Sequence, residues 1–492
     1  MRYLPFILIW LNCGVMANNL QLSQLRWVGQ DKFQVTISWE NSWWLTSSPG
    51  NHDAVWVFAK YRAANGSWQP IPFSAQSLDH QSWGTALQLE AVPDEMGIFA
   101  RRASQGSGNI GPETVELTLA QPLPPGSYDL RVFGIEMVYI PEGSFWLGDS
   151  SSFHHFRDGA SSGPLQISSE AFIPVGLNTG ELCDTTTYSP VGTLPPNFPK
   201  GYAGFYSMKY EIGQAQYRDF LNCLTFGQQE SRTLQPPDAD RGTFVFSPTR
   251  QLASRNGLAI AVPGIRGQIP AQYGCDASDD GNFNRQEDGQ NRACNFLNWQ
   301  DVTAYLDWAG LRPMTELEFE KICRGPVRPV GGEFAWGTPE VIDANTVQFD
   351  GTDGETVSET ATSTAGLASH GYTGPTGGLR AGFGGSATSD RLQIGGSYYG
   401  VLEMSGNVWE LCVSVTSTEG LNYRGTLGDG TLAPNGDADV ASWPENTGVG
   451  YRGGAFLSGV FALFRDLAVS DRYYAGLFPS LRRNTSGGRG VR

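Results

Sequence analysis

Glycine and proline are so frequent in this chain that they constrain its fold more than any other feature. The 492 residues include 62 glycines and 29 prolines, and both residue types interrupt long helices. We therefore expect a loop-rich architecture with few long helices. The sequence is also 40% hydrophobic and 12% aromatic, which is enough for a sizeable core. A chain of this length is expected to form two or more domains.

The region after residue 17 has the pattern of antiparallel strands. Residues 33–39 and 128–133 alternate between apolar and polar side chains, and residues 54–59 form a continuous apolar run that suits a buried strand. We interpret residues 18–135 as an all-β domain, an immunoglobulin-like sandwich. Four tryptophans of this region are interpreted as core residues, with a sugar-binding aromatic platform as the alternative: Trp39, Trp43, Trp44 and Trp56.

Residues 1–17 have the features of a secretory signal peptide. Arg2 precedes an apolar run over residues 4–11, and small residues lead to a cleavage site at Ala17. A lipoprotein signal at Cys13 is the alternative. No other apolar stretch is long enough to span a bilayer. We therefore expect a secreted or cell-surface protein without a transmembrane segment.

The expected export bears on the cysteines and on the charge. Six cysteines follow the signal region, an even number that is compatible with disulfides, and Cys275 with Cys294 is the favoured pair. The chain has 33 basic and 49 acidic residues, a net charge of −16. This negative charge argues against nucleic acid and against an anionic membrane as partners.

A twelve-residue segment has the spacing of a calcium-binding loop. Oxygen ligands at its places 1, 3, 5, 9 and 12 could converge on one cation, because Gly281 at place 6 permits a sharp turn. The segment lacks the usual flanking helices, so a hydrogen-bonded surface turn is the alternative. The predicted ligands are Asp276, Ser278, Asp280, Asn284 and Glu287.

Two helices are predicted near the middle of the chain. Residues 298–309 carry apolar side chains at helical spacing, and a second helix opens after Thr315, with Glu318 three residues later as in a capping box.

The last 42 residues, 451–492, form a segment without regular periodicity. Gly459, Gly476 and Pro479 interrupt any helix or strand, so large apolar side chains here lie on loops, where tyrosine in particular suits a binding face. Phe456 and Phe464 are interpreted as core residues. The charged residues are interpreted as framework ion pairs, with ligand contact as the alternative: Arg465, Asp466, Asp471 and Arg472. The residues predicted to contact a ligand are Leu457, Ser458, Val460, Phe461, Tyr473, Tyr474, Leu477 and Phe478.

Several motifs together resemble the formylglycine-generating enzyme, or sulfatase-modifying factor, family. They are found at residues 137–145, 206–221, 298–320, 405–410 and 451–456. The resemblance implies that residues 136–492 form an α+β domain of the C-type lectin kind. Residues 350–390, rich in Gly, Ser and Thr, depart from the family pattern as an insertion.

The resemblance also implies a chemistry that this chain lacks. Enzymes of the family oxidise a substrate cysteine with two thiols, placed four and nine residues after the second glycine of a Gly-Gly pair. Counted from Gly454, those positions are Ser458 and Leu463, which offer neither a thiolate nor a soft copper(I) ligand. We therefore expect no catalytic residues and no copper. An oxidase of the formylglycine-generating type that uses other residues, such as Cys412, is the alternative.

The composition of residues 451–492 resembles that of variable proteins of diversity-generating retroelements. Gln, Lys, Glu, Met and Trp make up 73 of the 492 residues, yet none occurs in this segment. Adenine replacement in an AAC codon cannot produce these five residue types. We interpret residues 451–492 as a diversified recognition surface whose partner is a protein or glycan ligand, including one on a cell surface. A composition that arose by chance is the alternative.

A second calcium site is implied by the resemblance alone. In the family, a side chain, two backbone carbonyls and a glutamate near the Gly-Asn-x-Trp-Glu motif hold the ion. The corresponding groups are the side chain of Glu403, the carbonyls of Gly406 and Val408, and the side chain of Glu410. The calcium would be structural. The alternative is that Glu410 only accepts hydrogen bonds from loop amides.

Overall fold

The computed structural model describes residues 19–64, 66–151, 154–184, 189–371, 374–385, 389–458 and 465–492. Within these ranges the chain is mostly sheet with a few short helices, which is compatible with the expected α+β class. The predicted signal peptide lies outside the described residues. Among the helices of the described ranges, none combines the length and the apolar character needed to cross a bilayer.

The strands and helices follow one another along the whole chain. The first strands are β1 (Gln21–Trp27), β2 (Lys32–Trp44), β3 (Asp53–Ala63), β4 (Gln69–Pro70), β5 (Gln81–Ser82), β6 (Leu87–Ala91), β7 (Ile98–Arg102), β8 (Gly106–Thr118) and β9 (Tyr128–Ile140). The next are β10 (Phe145–Leu147), β11 (Phe156–Asp158), β12 (Leu165–Ile167), β13 (Ile173–Pro174), β14 (Leu182–Asp184), β15 (Thr193–Leu194), β16 (Phe205–Met208), β17 (Leu258–Val262) and β18 (Gln272–Cys275). The last are β19 (Arg312–Pro313), β20 (Glu340–Asp343), β21 (Val347–Gln348), β22 (Thr356–Val357), β23 (Ala365–Ala368), β24 (Glu410–Val413), β25 (Val449–Arg452) and β26 (Gly490–Val491). The α-helices are α1 (Gln214–Leu221), α2 (Phe226–Arg232), α3 (Trp299–Trp308), α4 (Glu316–Arg324) and α5 (Thr418–Leu421), and short 3₁₀ turns lie at Ser77–Asp79 and Arg465–Leu467.

Two sheets enclose an apolar core in the N-terminal region. One sheet has the strand order β1-β2-β8-β5, and the other contains β6, β7, β3 and β9 side by side. Phe33 and Val35 of β2 share this core with Val55 and Val57 of β3. The predicted strand at residues 33–39 is confirmed as part of β2, because its alternate side chains face the opposite sheet.

Strand β3 is buried on both of its faces. While Val55 and Val57 face the N-terminal core, Trp56 and Phe58 point the other way into the main core of the chain. There the ring of Phe58 lies edge-on to Trp308 of α3, with 5.0 Å between the centroids. The continuous apolar run at 54–59 is therefore confirmed as a buried strand, covered by a sheet on one side and by helices on the other.

Strand β9 joins the N-terminal region to the rest of the chain. It pairs with β3 from Tyr128 to Val138 and with β16 over its last four residues. Residue 135, where the sequence analysis divides the chain, lies inside this strand. The regions before and after the division therefore share one eight-stranded sheet.

The end of the chain completes that sheet. Strand β26 lies between β16 and β19, with Val491 opposite both Ser207 and Arg312. The guanidinium of Arg492 lies 3.9 Å from the ring centroid of Trp56. The last residue is thus held against β3, close to the junction of the two cores.

The two predicted helices are confirmed with their caps. The side chain of Asn298 accepts a hydrogen bond from the Asp301 amide at 2.9 Å at the start of α3. At the start of α4, Thr315 accepts from the Glu318 amide at 3.1 Å, and Glu318 accepts from the Thr315 amide at 2.9 Å. These reciprocal bonds satisfy amides that a helix leaves unpaired at its first turn.

The insertion at 350–390 is folded where the structure describes it. Strand β22 pairs with β21, and β23 pairs in parallel with β20. Leu367, Leu379 and Phe383 form a small apolar core with Ala344 and Val357. The insertion therefore packs as a compact addition beside the main core.

Candidate functional site

A pair of antiparallel strands, β24 and β25, leads into the C-terminal segment. Arg452, the last residue of β25, is fully buried and donates hydrogen bonds to Glu316 and to Glu320 of α4, each at 3.0 Å. Gly453 and Gly454 follow with φ angles of +84° and +74°, which glycine adopts without strain. A Cβ atom at Gly453 would lie 2.8 Å from the Met404 carbonyl oxygen. The Gly-Gly pair therefore turns the chain where a side chain would not fit.

Arg472 extends the buried ion pairs beneath the segment. Its guanidinium donates to Glu316 Oε1 at 2.9 Å and forms an ion pair with Asp184 of β14. All three side chains are fully buried. The sequence-based interpretation of Arg472 as a framework residue agrees with this position, because a side chain enclosed by two carboxylates cannot reach a ligand.

Arg324 of α4 completes the network from the other side. It donates to Glu320 Oε2 at 2.9 Å, forms an ion pair with Glu333, and donates to Ser470 Oγ at 2.8 Å. The buried ion-pair network, as we call it, consists of Arg324, Arg452, Arg472, Asp184, Glu316, Glu320 and Glu333.

The buried ion-pair network fixes the backbone of the C-terminal segment. Arg452 donates to the Val469 carbonyl at 2.7 Å, and the Val469 amide donates to the Glu333 carbonyl at 2.9 Å. Burial raises the pKa of Glu316 to about 7, and the neighbouring Arg452 opposes this rise. A carboxylate at this depth depends on its cationic partners, so the loss of one partner is strongly destabilising.

The predicted ligand-contacting residues differ in how far they reach solvent. Tyr473 is 47% and Leu477 38% exposed, whereas Tyr474 and Phe478 are partly buried against the main core. The Tyr474 ring lies edge-on to Tyr473, at 4.7 Å between centroids. Leu457 is also partly buried, and Val460 and Phe461 lie outside the described residues. Tyr473 and Leu477 therefore offer the most accessible apolar area among the predicted residues that the structure describes.

Ser458 has a structural position at the base of this surface. It is 5% exposed, and its hydroxyl accepts a hydrogen bond from the Ala455 amide at 2.9 Å. Its carbonyl accepts from the Gly371 amide at 2.8 Å. The hydroxyl thus closes a tight turn after the Gly-Gly pair. Leu463, at the second position of interest, lies outside the described residues, and Phe456 is buried as expected.

The six cysteines after the signal region are free thiols in the structure. The predicted disulfide between Cys275 and Cys294 is therefore not formed. The thiols of Cys275 and Cys294 are both enclosed in the main core. There Cys294 lies 3.9 Å from the Asn256 side-chain amide, and Cys275 lies beside Arg218. Burial raises the pKa of Cys412 well above its usual value, so the thiol nearest to the Gly-Gly turn is held in its unreactive, protonated form.

Three buried glutamates surround one arginine beside the segment 403–410. Arg489 donates from Nε to Glu410 Oε1 at 2.7 Å, Glu403 Oε1 accepts from the Gly382 amide at 2.9 Å, and Glu211 accepts from the Val408 amide at 3.0 Å. The Oε2 atoms of Glu403 and Glu410 are buried and have no hydrogen-bond partner among the described residues.

The electrostatics of this acidic pocket favour a cation. Burial raises the pKa of Glu403 to about 7 and raises the pKa of Glu410 and of Glu211 as well, while Arg489 opposes the rise. Arg380 also lowers the pKa of Glu403, to a smaller extent than Arg489. Three carboxylates against two guanidinium groups still leave a surplus of negative charge, which is costly unless a cation or protons neutralise it. The two unpaired oxygens belong to the side chains that the family resemblance assigns to calcium, and Gly406 and Val408 lie on the loop between them. These residues fit a calcium ion.

The predicted calcium loop at 276–287 is arranged differently. Both oxygens of Asp276 accept loop amides, from Asp280 and Gly281, at 3.2 Å each. The side-chain oxygen of Asn284 faces Arg218 at 2.8 Å, and Glu287 is exposed. Ser278 donates to Asp288 at 2.7 Å. The bonds of Asp276, Ser278 and Asn284 agree with the alternative interpretation of the segment as a hydrogen-bonded turn, and calcium binding at 276–287 stays a prediction.

One acidic cluster was missed by the sequence analysis. Among the described residues, carboxylate oxygens of Asp307, Asp429 and Asp439 lie within 4.8 Å of one another. Asp307 accepts hydrogen bonds from the amides of Asp429 and Asp439, at 3.0 and 3.1 Å, and burial raises its pKa to about 7. Asp307 therefore holds two loop amides. Because Asp429 and Asp439 are far from Asp307 along the chain, no local sequence pattern indicates this cluster. Arg489 and Glu211 were also missed, although the glycines on both sides of Arg489 indicate a confined position.

Comparison with known proteins agrees with the resemblance noted in the sequence. The family model for the sulfatase-modifying factor enzyme 1-like domain matches residues 134–475. A formylglycine-generating enzyme from Mus musculus is 27% identical over 134 residues, which cover 27% of this chain and 34% of that enzyme. The chain thus matches about a third of the length of this relative.

Substitutions in the buried ion-pair network should reduce stability far more than substitutions of the exposed side chains of the C-terminal segment. We expect Arg472→Ala to lower the free energy of unfolding by about 3–5 kcal/mol, because it leaves Asp184 and Glu316 buried without their partner. Tyr473→Ala and Leu477→Ala should each cost about 1 kcal/mol or less. Urea denaturation of the three variants measures these differences. Equal losses at Arg472 and Tyr473 would show that the exposed residues are part of the framework.

Proposed function

This chain belongs to the sulfatase-modifying factor family, and from that membership we propose that it is an exported ligand-binding protein without the oxidase activity of the family. Its recognition surface is the C-terminal segment, diversified by a retroelement and displayed on a domain of the C-type lectin kind. An immunoglobulin-like sandwich precedes this domain. The ligand is a protein or glycan, and a cell-surface location suits such a role.

The main support for the proposed loss of oxidase activity is Ser458. It stands at the position of the first family thiol, and its hydroxyl holds the Ala455 amide in a tight turn. Leu463 stands at the second thiol position. A hydroxyl and an alkyl group cannot form a mixed disulfide or bind copper(I) as thiolates do. The raised pKa and the burial of Cys412 also argue against a substitute nucleophile there.

The binding role is supported by the contrast between a rigid base and an exposed surface. Arg452 and Arg472 are enclosed by carboxylates, whereas Tyr473 and Leu477 reach solvent. A binding face benefits from a base that does not reorganise, because less conformational entropy is lost when a ligand binds. The absence of five residue types from residues 451–492 supports the diversification of this surface.

Calcium is proposed as a structural ion in the acidic pocket of Glu403 and Glu410. The two unpaired oxygens and the surplus negative charge described above support this assignment. When bound, calcium would neutralise the carboxylates, and it would hold the loop at 403–410 against the start of β24. The ion has no part in a reaction in this proposal.

The rival function is that of an oxidase acting on protein cysteine, which the similarity to the mouse enzyme favours. We expect the mature chain to leave a cysteine peptide with a sulfatase motif unoxidised in the presence of copper and oxygen, because it lacks both thiols. Mass spectrometry of the peptide measures the product, with an active formylglycine-generating enzyme as the positive control. Turnover that disappears in Cys412→Ser would overturn the proposal in favour of the rival.

Diversification predicts a specific feature of the genome. A near-copy of the DNA that encodes residues 451–492 should lie near a gene for a reverse transcriptase and should differ from the coding copy at adenines. DNA encoding residues 137–210 serves as the control, because it should have no such copy. Sequencing the locus tests both, and a locus without the copy would remove diversification from the proposal while leaving ligand binding.

Removal of calcium should lower the stability of the chain. At a calcium concentration one hundred times the dissociation constant, we expect a stabilisation of about 2.7 kcal/mol, seen as a fall in the melting temperature after EGTA is added. Glu403→Gln should abolish the shift because it removes a charged ligand. Glu287→Gln is the matched control, since Glu287 belongs to the hydrogen-bonded turn. If only Glu287→Gln abolished the shift, calcium would bind at 276–287 instead.

A further inference from the structure

A large cavity lies between the N-terminal region and the rest of the chain, away from the C-terminal surface. Its volume is about 710 Å³, which is within the range of small-molecule sites in proteins. One wall is formed by the end of β2, the loop that follows it and the start of β8, and the other by residues near Lys209 and by residues within 380–385 and 389–402. Of the residues predicted to contact a ligand, none that the structure describes lines it.

Hydrogen bonds between its two walls hold the cavity in shape. The hydroxyls of Ser48 and Tyr398 are 2.7 Å apart, and the Asn51 side-chain amide donates to the Tyr399 carbonyl at 2.8 Å. The two residues of each pair are about 350 positions apart along the chain, so each bond joins the N-terminal region to the segment that carries Tyr398 and Tyr399. The cavity is therefore pre-formed, and a ligand would not have to organise it.

Four aromatic residues contribute to the lining: Trp43, Tyr210, Tyr398 and Tyr399. Trp43 is partly buried, and its indole N–H donates to Asn51 Oδ1 at 3.2 Å. Lys209 Nζ lies 4.7 Å from the centroid of the Trp43 ring, so only the opposite face of the ring is open to stacking by a ligand. A Cβ atom at Gly400 would come within 3.0 Å of the Trp43 ring, so the glycine makes room for the indole. Tyr398 and Tyr399 stand edge-on to one another, with 4.9 Å between their centroids. Trp43 thus differs from Trp39 and Trp56, which are core residues as the sequence analysis expects.

The cations that line the cavity are already engaged. Lys209 pairs with Glu136 at 3.3 Å and lies 3.9 Å from Asp53. Arg380 donates to three backbone carbonyls, and Arg391 donates to three others. The carboxylates of Glu136, Asp53, Glu40 and Asp353 offset the charges of these three cations. Among the described residues there is therefore no concentration of positive charge at the cavity that would attract a phosphate or another polyanion.

Polar groups at the mouth complete the chemistry. Glu40 and Asn41 close one side, and Asn109 faces them, its side-chain oxygen accepting the Asn41 amide at 3.1 Å. Carboxylate and amide side chains match the donor and acceptor pattern of hydroxyl groups, while an indole ring offers an apolar face. A ligand with hydroxyl groups can therefore bond to polar groups at the mouth while it packs against the indole face.

We propose that this cavity binds a neutral saccharide, with the Trp43 ring as the stacking surface and with Glu40, Asn41 and Asn109 as hydrogen-bonding groups at the mouth. This site is separate from the C-terminal surface and does not depend on the proposed function. It assigns a binding role to the N-terminal region together with the insertion, since both contribute a wall.

The mature chain is tested on a printed array of neutral and anionic glycans, and the strongest neutral ligand is then titrated by calorimetry. Trp43→Ala should weaken binding by about tenfold or more, and Glu40→Gln should weaken it by a similar factor through the loss of a charged acceptor. Trp83→Ala is the matched control, because Trp83 is a 61% exposed tryptophan of the same region that does not line the cavity. It should bind as the unchanged chain does. Thermal unfolding shows whether each variant is folded, and Glu40→Gln carries the test if Trp43→Ala is not.

Several results would overturn the proposal. One is an array on which no neutral glycan binds above the level of the Trp43→Ala, Glu40→Gln double variant. Another is binding limited to sulfated or phosphorylated glycans. Binding that is kept in both cavity variants but lost in Tyr473→Ala and Leu477→Ala would place the glycan on the C-terminal surface, which would reject the cavity and support the proposed function.

Discussion

The charge pairing between Arg452, Arg472 and Glu316 is the constraint on which the C-terminal surface rests. Each of these side chains is fully buried, so each charge is tolerable only while its partners are present. The pairs join α4, β25 and the stretch at 469–472, which come from distant parts of the sequence. A segment with little regular structure is thereby held to a rigid base. That combination lets exposed side chains change while the backbone beneath them stays in place.

The N-terminal region is joined to the rest of the chain by strands that both share. Strand β3 is shared by two cores, and β9 continues from one region into the next. The N-terminal strands are therefore built into the main sheet instead of being joined through a linker. Since both walls of the large cavity rest on this shared sheet, its shape is set by the packing of the whole chain.

Features with local causes were predictable from the sequence. The caps at Asn298 and Thr315 act within three residues, and the run at 54–59 shows its burial in its own composition. Features with distributed causes were not predictable. The acidic pocket needs Glu211, Glu403, Glu410 and Arg489 together, and no spacing rule connects them. The segment at 276–287 has a related difficulty, because a favourable spacing of oxygens in the sequence does not reveal which protein donors they will face.

The order of the amino acids alone fixes which chemistry is open to this chain. Ser458 and Leu463 lack sulfur whatever the fold, and a segment without Lys, Glu, Gln, Met and Trp has that composition in any conformation. Only the tertiary structure decides which charged side chains become buried together and where a cavity forms. Arg472 becomes a framework residue, and Trp43 comes to line a cavity while Trp39 is enclosed in the core. The reason is physical, since burial and ion pairing depend on neighbours that the chain brings together from hundreds of residues away.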